Sequence, residues 1–199
     1  MFFFEPPNQI ISWSHNIRNV LNNADIELIE NYARDNSELL TPAGMKTHDD
    51  ASGLDTSYRS TDVMFLHDTN YFAEIYAKVV NTSLQFNAEQ FKYNLTYIES
   101  LQYGVYRADD GGKYDMHLDT CARYTSGNTR KLSFTILLND PSEFEGGELM
   151  FHTAQQPFVA ELQKGEMTLF PSFLLHSVAP VTKGIRKSLV GWICGPNFV

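Results

Sequence analysis

The second half of this chain is a series of short runs of aromatic and β-branched residues separated by turn residues, and this pattern limits the fold more than any other feature. Runs of this length and composition are typical of antiparallel sandwiches and barrels. A tight hairpin is predicted at Lys164-Gly165, between two of the runs. The predicted strands are residues 93–98, 100–107, 131–138, 148–152, 158–162, 166–170 and 186–193.

The first half of the chain has helical periodicity instead. Apolar residues recur at helical spacing in two runs, each preceded by a capping sequence, over residues 26–33 after Asn23-Ala-Asp25 and over residues 71–80 after Asp68-Thr-Asn70. We therefore expect two amphipathic helices that pack against the β region. Residues 37–59 lack periodicity and are rich in Ser, Thr, Gly and Asp, which predicts a long loop of the kind that often binds ligands.

Length and charge limit the class of protein. A chain of 199 residues with 43% hydrophobic residues predicts a single domain over 1–199, with residues 1–90 as helical and loop support and residues 91–199 as the β core. The net charge of −9 argues against a nucleic-acid partner and against binding to an anionic membrane.

The chain start and the cysteines predict a cytoplasmic location. Phe2–Phe4 is followed at once by Glu5-Pro-Pro, so we expect neither a signal peptide nor a spanning helix there. Cys121 and Cys194 are too few for a disulfide framework and lack the spacing of a thiolate metal site. Both are expected to be free thiols.

Three residues have the pattern of a metal site. His117 and Asp119 are two residues apart on a segment expected to be extended, so both side chains point to the same side. His176 follows after enough chain to cross a β-sandwich and return. Two imidazoles and one carboxylate on one face suit iron(II), with three coordination positions left open.

A basic residue follows the second histidine. Arg186 comes ten residues after His176, at the start of an apolar strand. Its guanidinium can bind a carboxylate through two hydrogen bonds, as the far end of a metal-bound dicarboxylate requires. Each motif occurs by chance in proteins without a metal, and a single His in a β core is usually structural. The combination is what indicates an iron site.

Five segments between about Tyr97 and Trp192 carry a family resemblance: Leu101–Tyr106, Gly112–Asp119, Gly146–Phe151, Gly165–Pro171 and His176–Arg186. They resemble the prolyl 4-hydroxylase-type iron(II)/2-oxoglutarate oxygenases, and most closely the bacterial and viral branch with Arg as the 2-oxoglutarate anchor. The resemblance implies an α+β, mainly β fold: a double-stranded β-helix of the jelly-roll or cupin type as catalytic core, with N-terminal helices packed on one sheet. It also implies iron(II), 2-oxoglutarate, O2 and L-ascorbate as cofactors, and a bacterial or phage origin.

The resemblance assigns roles to residues. His117, Asp119 and His176 are implied to bind iron, and Arg186 to bind the distal carboxylate of 2-oxoglutarate. Around them, the implied cofactor-binding residues are Tyr106 and Tyr114, which line the pocket, Ser133 and Ser188, whose hydroxyls face the same carboxylate, and Trp192, which forms a wall. Tyr114 and Trp192 fit core packing equally well.

Two positions depart from the family or have two interpretations. Leu137 stands where some relatives have a tyrosine, and Ser133, Thr135 or Ser188 is expected to compensate. Arg59 lies in a segment that resembles one beside the substrate groove, and a surface salt bridge explains it equally well. Arg59 and Tyr114 are therefore our candidate substrate contacts.

The resemblance favours hydroxylation of a peptidyl proline in a protein or peptide. Asp119 favours hydroxylation over halogenation, because related halogenases have Gly or Ala at that position. A free amino acid or small metabolite is the alternative substrate, and the charge of −9 argues against nucleic-acid demethylation. A non-catalytic β-sandwich that binds a ligand is the alternative from another class, although it would not need Arg186.

Overall fold

The computed structural model describes residues 14–43, 45–46, 52–53, 55–120 and 127–198. The predictions for Phe2–Phe4 and Cys121 fall outside these residues. In chain order, the strands are β1 (His15–Ile17), β2 (Thr41–Pro42), β3 (Met45–Lys46), β4 (Ser52–Gly53), β5 (Arg59–Ser60), β6 (Asp62–Leu66), β7 (Tyr97–Ile98), β8 (Leu101–Arg107), β9 (Lys113–His117), β10 (Asn128–Leu137), β11 (Phe144–Gly146), β12 (Leu149–Phe151), β13 (Phe158–Ala160), β14 (Met167–Pro171), β15 (His176–Val178) and β16 (Val181–Pro196).

Two antiparallel sheets make up the β core. The larger sheet has the strand order β1-β14-β10-β16-β8-β6-β2, and β7 and β11 also pair with β16. The smaller sheet has the order β13-β12-β15-β9-β5. Each of the seven predicted strand regions contains a strand, although the first of them is paired only over Tyr97–Ile98.

The first predicted helix is α1, Asn23–Asp35. Its N-cap is Asn22, one residue before the expected capping sequence, and the Asn22 side chain accepts a hydrogen bond from the Asp25 amide while the Asp25 carboxylate accepts one from the Asn22 amide. This reciprocal capping box satisfies two amides at the helix start. The Lys78 ammonium then binds the Asp25 carboxylate at 2.6 Å and ties α1 to the second helix.

The second helix, α2, spans Ala73–Phe86, so it begins later and extends further than predicted. Its N-cap is Phe72, which makes no side-chain cap hydrogen bond, so the expected cap at Asp68-Thr-Asn70 is wrong. A π-helical turn follows over Asn87–Phe91 and ends at Lys92 in the left-handed conformation. In the part of the chain that is described, neither helix combines the length and hydrophobicity needed to cross a membrane.

Side-chain alternation in β16 separates two apolar cores. Leu189 and Ile193 belong to a core that both helices share with one face of the larger sheet. The second core lies between the sheets and contains Tyr106, Phe151 and Phe170. Because alternate residues of a strand face opposite sides, Arg186, Ser188 and Trp192 point away from the helices and between the sheets.

Two expectations about connections need correction. The hairpin at Lys164-Gly165 is wrong: a turn is present with Gly165 at φ +80°, but β13 before it pairs in the smaller sheet while β14 after it pairs in the larger one. The turn therefore joins the two layers. Residues 37–59 are also not one continuous loop, because a 3₁₀ turn and the short strands β2 to β5 lie within them.

Candidate active site

His117, Asp119 and His176 converge at one end of the space between the sheets. Nε2 of His117 lies 3.6 Å from one Asp119 carboxylate oxygen, and Nε2 of His176 lies 3.5 Å from the other. One potential ligand atom from each residue lies within 4.8 Å of the other two. The predicted triad is therefore brought together in space, with each side chain less than a tenth exposed.

The strand pairing explains why the two histidines meet. His176 of β15 is paired with His117 of β9, whereas Val178 is paired with Tyr114, so β9 has one extra residue in this stretch. Such a bulge puts residues three apart on the same face. It turns both Tyr114 and His117 inwards, and their rings stack with centroids 3.5 Å apart.

Backbone carbonyls orient both imidazoles. Nδ1 of His117 lies 2.8 Å from the Asp115 carbonyl oxygen, and Nδ1 of His176 lies 2.8 Å from that of Leu174. Donation from each Nδ1 leaves the lone pair of Nε2 facing Asp119, as a metal ligand requires. Burial, and then the adjacent His176, lower the pKa of His117 to about 4, so this imidazole is neutral at neutral pH.

Asp119 is held by the turn after β14. The amides of Asp119 and Thr120 both donate to the Ser172 carbonyl, at 3.0 and 3.1 Å. Burial alone would raise the pKa of the Asp119 carboxyl, but the two histidines and the Ser133 hydroxyl outweigh burial and bring this pKa below its usual value. Asp119 is therefore an ionised, oriented carboxylate.

Arg186 is buried deeper between the sheets. The residue is 3% exposed, and its guanidinium carbon lies 5.3 Å from the centre of the Tyr106 ring. Its Nη1 is buried and has no hydrogen-bond partner among the described residues. A buried cation without a partner is costly, so this group is suited to an anionic ligand.

Two further polar groups on the same face of β16 share this property. Within the described ranges, the Ser188 hydroxyl and the Trp192 indole N–H are buried without partners. The Arg130 guanidinium lies 3.9 Å from the Trp192 ring centre and makes two hydrogen bonds to the Glu99 carboxylate. Trp192 thus stacks on Arg130 and keeps a buried donor, its indole N–H.

Ser133 lies close to Asp119 of the triad. It is paired with Trp192 across β10 and β16, six residues along β16 from Arg186. Its hydroxyl donates to Ser172 at 2.9 Å and lies beside Asp119. Leu137 is paired with Ser188, so among the predicted hydroxyls Ser188 is the one closer to Arg186 along the sheet.

Arg59 lies next to the metal site and is not in a surface salt bridge among the described residues. Its guanidinium lies 4.3 Å from the centre of the Tyr114 ring and donates to the Gln102 side-chain oxygen at 3.0 Å. Arg59, Tyr114 and His117 thus form a stack. Burial raises the pKa of Tyr114 to about 12, so its phenol stays protonated and available as a donor.

Sequence reasoning missed several residues that shape the site. Gly147, at φ +70°, packs against the Arg186 side chain, and a Cβ there would lie 2.8 Å from the Arg186 Cδ. Ser172 positions Asp119, and Gln102 holds Arg59. The Gly146-Gly147 pair was visible in the sequence as a motif, but Ser172 and Gln102 carry no signal without the pairing of the strands.

The residues fit iron(II) and 2-oxoglutarate. Two imidazoles and one carboxylate give a donor set that favours iron(II) and leaves positions open. The unpartnered Nη1 of Arg186 and the unpartnered Ser188 hydroxyl, on one face of β16 in the described structure, suit the far carboxylate of a dicarboxylate.

Comparison with known proteins agrees with this site. Residues 101–194 match the model of the 2OG-Fe(II) oxygenase superfamily. Similar proteins include a PKHD-type hydroxylase of Prochlorococcus marinus, which is 45% identical over 44% of this chain and 38% of its own length. A PKHD-type hydroxylase of Synechococcus is 38% identical over 45% of this chain and 40% of its own length. The chain thus spans about two-fifths of the length of these curated relatives. The predicted resemblance to the iron(II)/2-oxoglutarate oxygenases is confirmed over this part of the chain.

Solved structures show the same fold. A prolyl-4-hydroxylase of Pseudomonas putida superimposes with a TM-score of 0.69 and 21% identity, over 91% of each chain. A prolyl hydroxylase of Trichoplax adhaerens, solved with a hypoxia inducible factor peptide fragment, superimposes with a TM-score of 0.72 and 16% identity, over 91% of this chain and 83% of that chain. The predicted double-stranded β-helix with helices on one sheet is confirmed.

Proposed function

We propose that this chain is an iron(II)- and 2-oxoglutarate-dependent dioxygenase that hydroxylates a prolyl residue in a peptide or protein and releases succinate and carbon dioxide. The observation that carries the proposal is the buried guanidinium of Arg186, which has an unpartnered Nη1 among the described residues and lies beside Tyr106 of the second core, between the same two sheets that carry the triad. A metal site without a cosubstrate would not need a buried cation beside it.

Each residue has a defined task in this proposal. His117, Asp119 and His176 would hold iron(II) through Nε2, a carboxylate oxygen and Nε2. Iron(II) with bound 2-oxoglutarate supplies the activation of O2 and the oxidation of a substrate C–H bond. Arg186 would bind the distal carboxylate of the cosubstrate, with the Ser188 hydroxyl as a second donor.

The apolar surroundings exclude water from this chemistry. Phe170 and Phe151 pack around His176, with ring centroids 4.8 and 6.2 Å from the imidazole. Removing water strengthens the attraction between Arg186 and a carboxylate and limits side reactions. The pocket therefore favours oxidation of substrate over unproductive turnover.

The peptidyl substrate is supported by the residues at the mouth of the pocket. Arg59 lies over Tyr114 next to His117 and lines a cavity of about 370 Å³ that also includes Thr61 and Arg107. Arg59 and the Tyr114 hydroxyl are donors suited to peptide carbonyl groups. The Trichoplax adhaerens neighbour was solved with a peptide, and the Pseudomonas putida neighbour is also named as a prolyl hydroxylase.

Cosubstrate binding is tested without turnover. Anaerobic addition of iron(II) and then 2-oxoglutarate to the metal-free protein should produce a visible charge-transfer band. The band should be absent from His117→Ala and present in His67→Ala, since His67 bonds only to Ser100 among the contacts of the described structure. A wild-type protein that shows no band would contradict the proposed function.

Substrate class is tested by product analysis. Proline-containing peptides and free amino acids are incubated with the protein, iron(II), 2-oxoglutarate and L-ascorbate, which we expect to sustain turnover by keeping iron reduced. Mass spectrometry should find one added oxygen on proline in peptides, with a raised KM for peptide in Arg59→Gln but not in the exposed Arg34→Gln. Oxygen gained only by free amino acids would contradict the peptidyl assignment.

A further inference from the structure

Tyr58 contacts the backbone next to His117 without facing the pocket itself. Its hydroxyl donates to the Met116 carbonyl at 2.8 Å, and its ring meets Tyr114 edge to face with centroids 5.8 Å apart. We propose that Tyr58 is a positioning residue for the iron site, holding the bulge of β9 that directs His117 inwards. The inference rests on the proposed function, since it gives Tyr58 this role only if His117 binds iron.

The Met116 carbonyl lies beyond the residues of β9 that pair with β5, and its hydrogen bond comes from the Tyr58 side chain. Arg59 and Ser60 of β5 pair with β9, and the Asp115 amide still donates to the Tyr58 carbonyl at 2.9 Å. Beyond Tyr58, a turn bonded to the Asp55 carbonyl leads the chain away from β9. The Tyr58 hydroxyl thus adds a hydrogen bond to the backbone of β9 beyond the end of the pairing between β5 and β9.

The peptide unit of Met116 is directly coupled to the first histidine. Its carbonyl belongs to the peptide that ends at the His117 nitrogen, so fixing this oxygen restrains the backbone from which the imidazole projects. The preceding carbonyl, of Asp115, accepts from Nδ1 of His117 and sets the rotation of the ring. Two successive carbonyls therefore help to fix the position of Nε2. The Asp115 carbonyl orients the imidazole ring, and the Met116 carbonyl, held by Tyr58, restrains the backbone.

The bulge makes this restraint necessary. A bulged residue loses its regular ladder bonds, so the stretch Asp115–Met116 is held less well by β15 than a regular strand would be. Met116 itself is 55% exposed and gives no packing restraint. The Tyr58 ring, packed against Tyr114, and its hydroxyl together replace that restraint. Groups that orient a metal ligand without binding the metal commonly change metal affinity by about 10-fold or more.

The test is metal binding by the metal-free protein. Cobalt(II) is titrated anaerobically into wild type, Tyr58→Phe and Ser60→Ala, and binding is followed by the visible absorption of the ion. Ser60 is the matched control, because its hydroxyl also donates from β5 to a backbone carbonyl, that of Asp110 in the turn before β9, at 2.8 Å and away from His117. We expect Tyr58→Phe to weaken cobalt binding about 10-fold and Ser60→Ala to leave it unchanged.

The outcomes separate the inference from the proposed function. If wild type binds no cobalt, the proposed function fails. If wild type binds and Tyr58→Phe binds equally well, the positioning role of Tyr58 is overturned. Thermal unfolding of the metal-free proteins is the second measurement. If Ser60→Ala loses as much cobalt affinity and as much thermal stability as Tyr58→Phe, the effect belongs to strand pairing in general, and the inference is overturned.

Discussion

His176 lies opposite His117 on neighbouring antiparallel strands, with the two ring centroids 4.1 Å apart. Each imidazole is oriented by the carbonyl two residues before it, that of Leu174 for His176 and that of Asp115 for His117. The same local arrangement thus directs both Nε2 atoms at Asp119, so the three side chains are already oriented as the proposed iron site would require.

Replacing His176 should remove the metal site without unfolding the protein. We expect His176→Ala to weaken cobalt(II) binding by more than about 100-fold, since a ligand contributes more than the groups behind it. Calorimetric titration of the metal-free protein measures this. His152→Ala is the control, because His152 bonds to Ser177 at 2.8 Å and is not one of the triad. Equal affinity in wild type and His176→Ala would contradict the triad.

Arg186→Met should reduce 2-oxoglutarate affinity while leaving the protein stable. Removing one partner of a buried charged hydrogen bond costs about 2–5 kcal/mol of binding, which is roughly 30-fold or more in affinity. The metal-free variant should unfold at the same or a higher temperature, since an uncompensated buried charge is lost. Titration of the charge-transfer band with 2-oxoglutarate gives the affinity. Lys183 is exposed on the same strand, so Lys183→Ala should bind 2-oxoglutarate as wild type does. A 2-oxoglutarate affinity in Arg186→Met equal to that of wild type would exclude Arg186 as the anchor.

Gly147→Ala should act on the cosubstrate through Arg186. The new Cβ would lie 2.8 Å from Arg186 Cδ and 2.9 Å from Val181 Cγ2, in a backbone at φ +70°. We expect a loss of stability of about 1–3 kcal/mol and a raised KM for 2-oxoglutarate. Gly111→Ala separates the two effects, because Gly111 has φ +61° with nothing within 4 Å. A raised KM in both variants would show that backbone strain, and not contact with Arg186, is responsible.

Cys194 should lower stability at alkaline pH. Burial raises its thiol pKa from 9.0 to about 11, whereas in the unfolded chain the thiol ionises at its usual value. Between these values the folded state holds more protons than the unfolded state, so stability is complete below about pH 9 and falls as pH rises toward about 11. Denaturant unfolding of Cys194→Ala should show a weaker decline over this interval than wild type. Parallel declines would contradict the shift.

The sequence predicted the site better than its surroundings. Alternation and capping located the helices and the long strands, because these features depend on local periodicity. His117, Asp119, His176 and Arg186 were found because their spacing is a property of the chain. The roles of Gln102 and Ser172 depend on which strands are neighbours, which no local pattern determines.

The errors have physical causes of the same kind. Lys164-Gly165 has the composition of a hairpin turn, yet a turn does not determine whether the strands it joins pair with each other or enter different sheets. Asp68-Thr-Asn70 has capping side chains, but Phe72 takes the N-cap position and packs in the core, 2% exposed. At the start of the second helix, burial of Phe72 therefore outweighed the local capping preference.

The alternation along β16 restricts how this protein can evolve. Even-numbered positions such as Arg186 and Trp192 serve the pocket, and odd-numbered ones such as Leu189 serve the core beneath the helices. A single inserted or deleted residue would exchange the two sets beyond that point and damage chemistry and stability together. This strand is therefore expected to change by substitution and not by insertion or deletion.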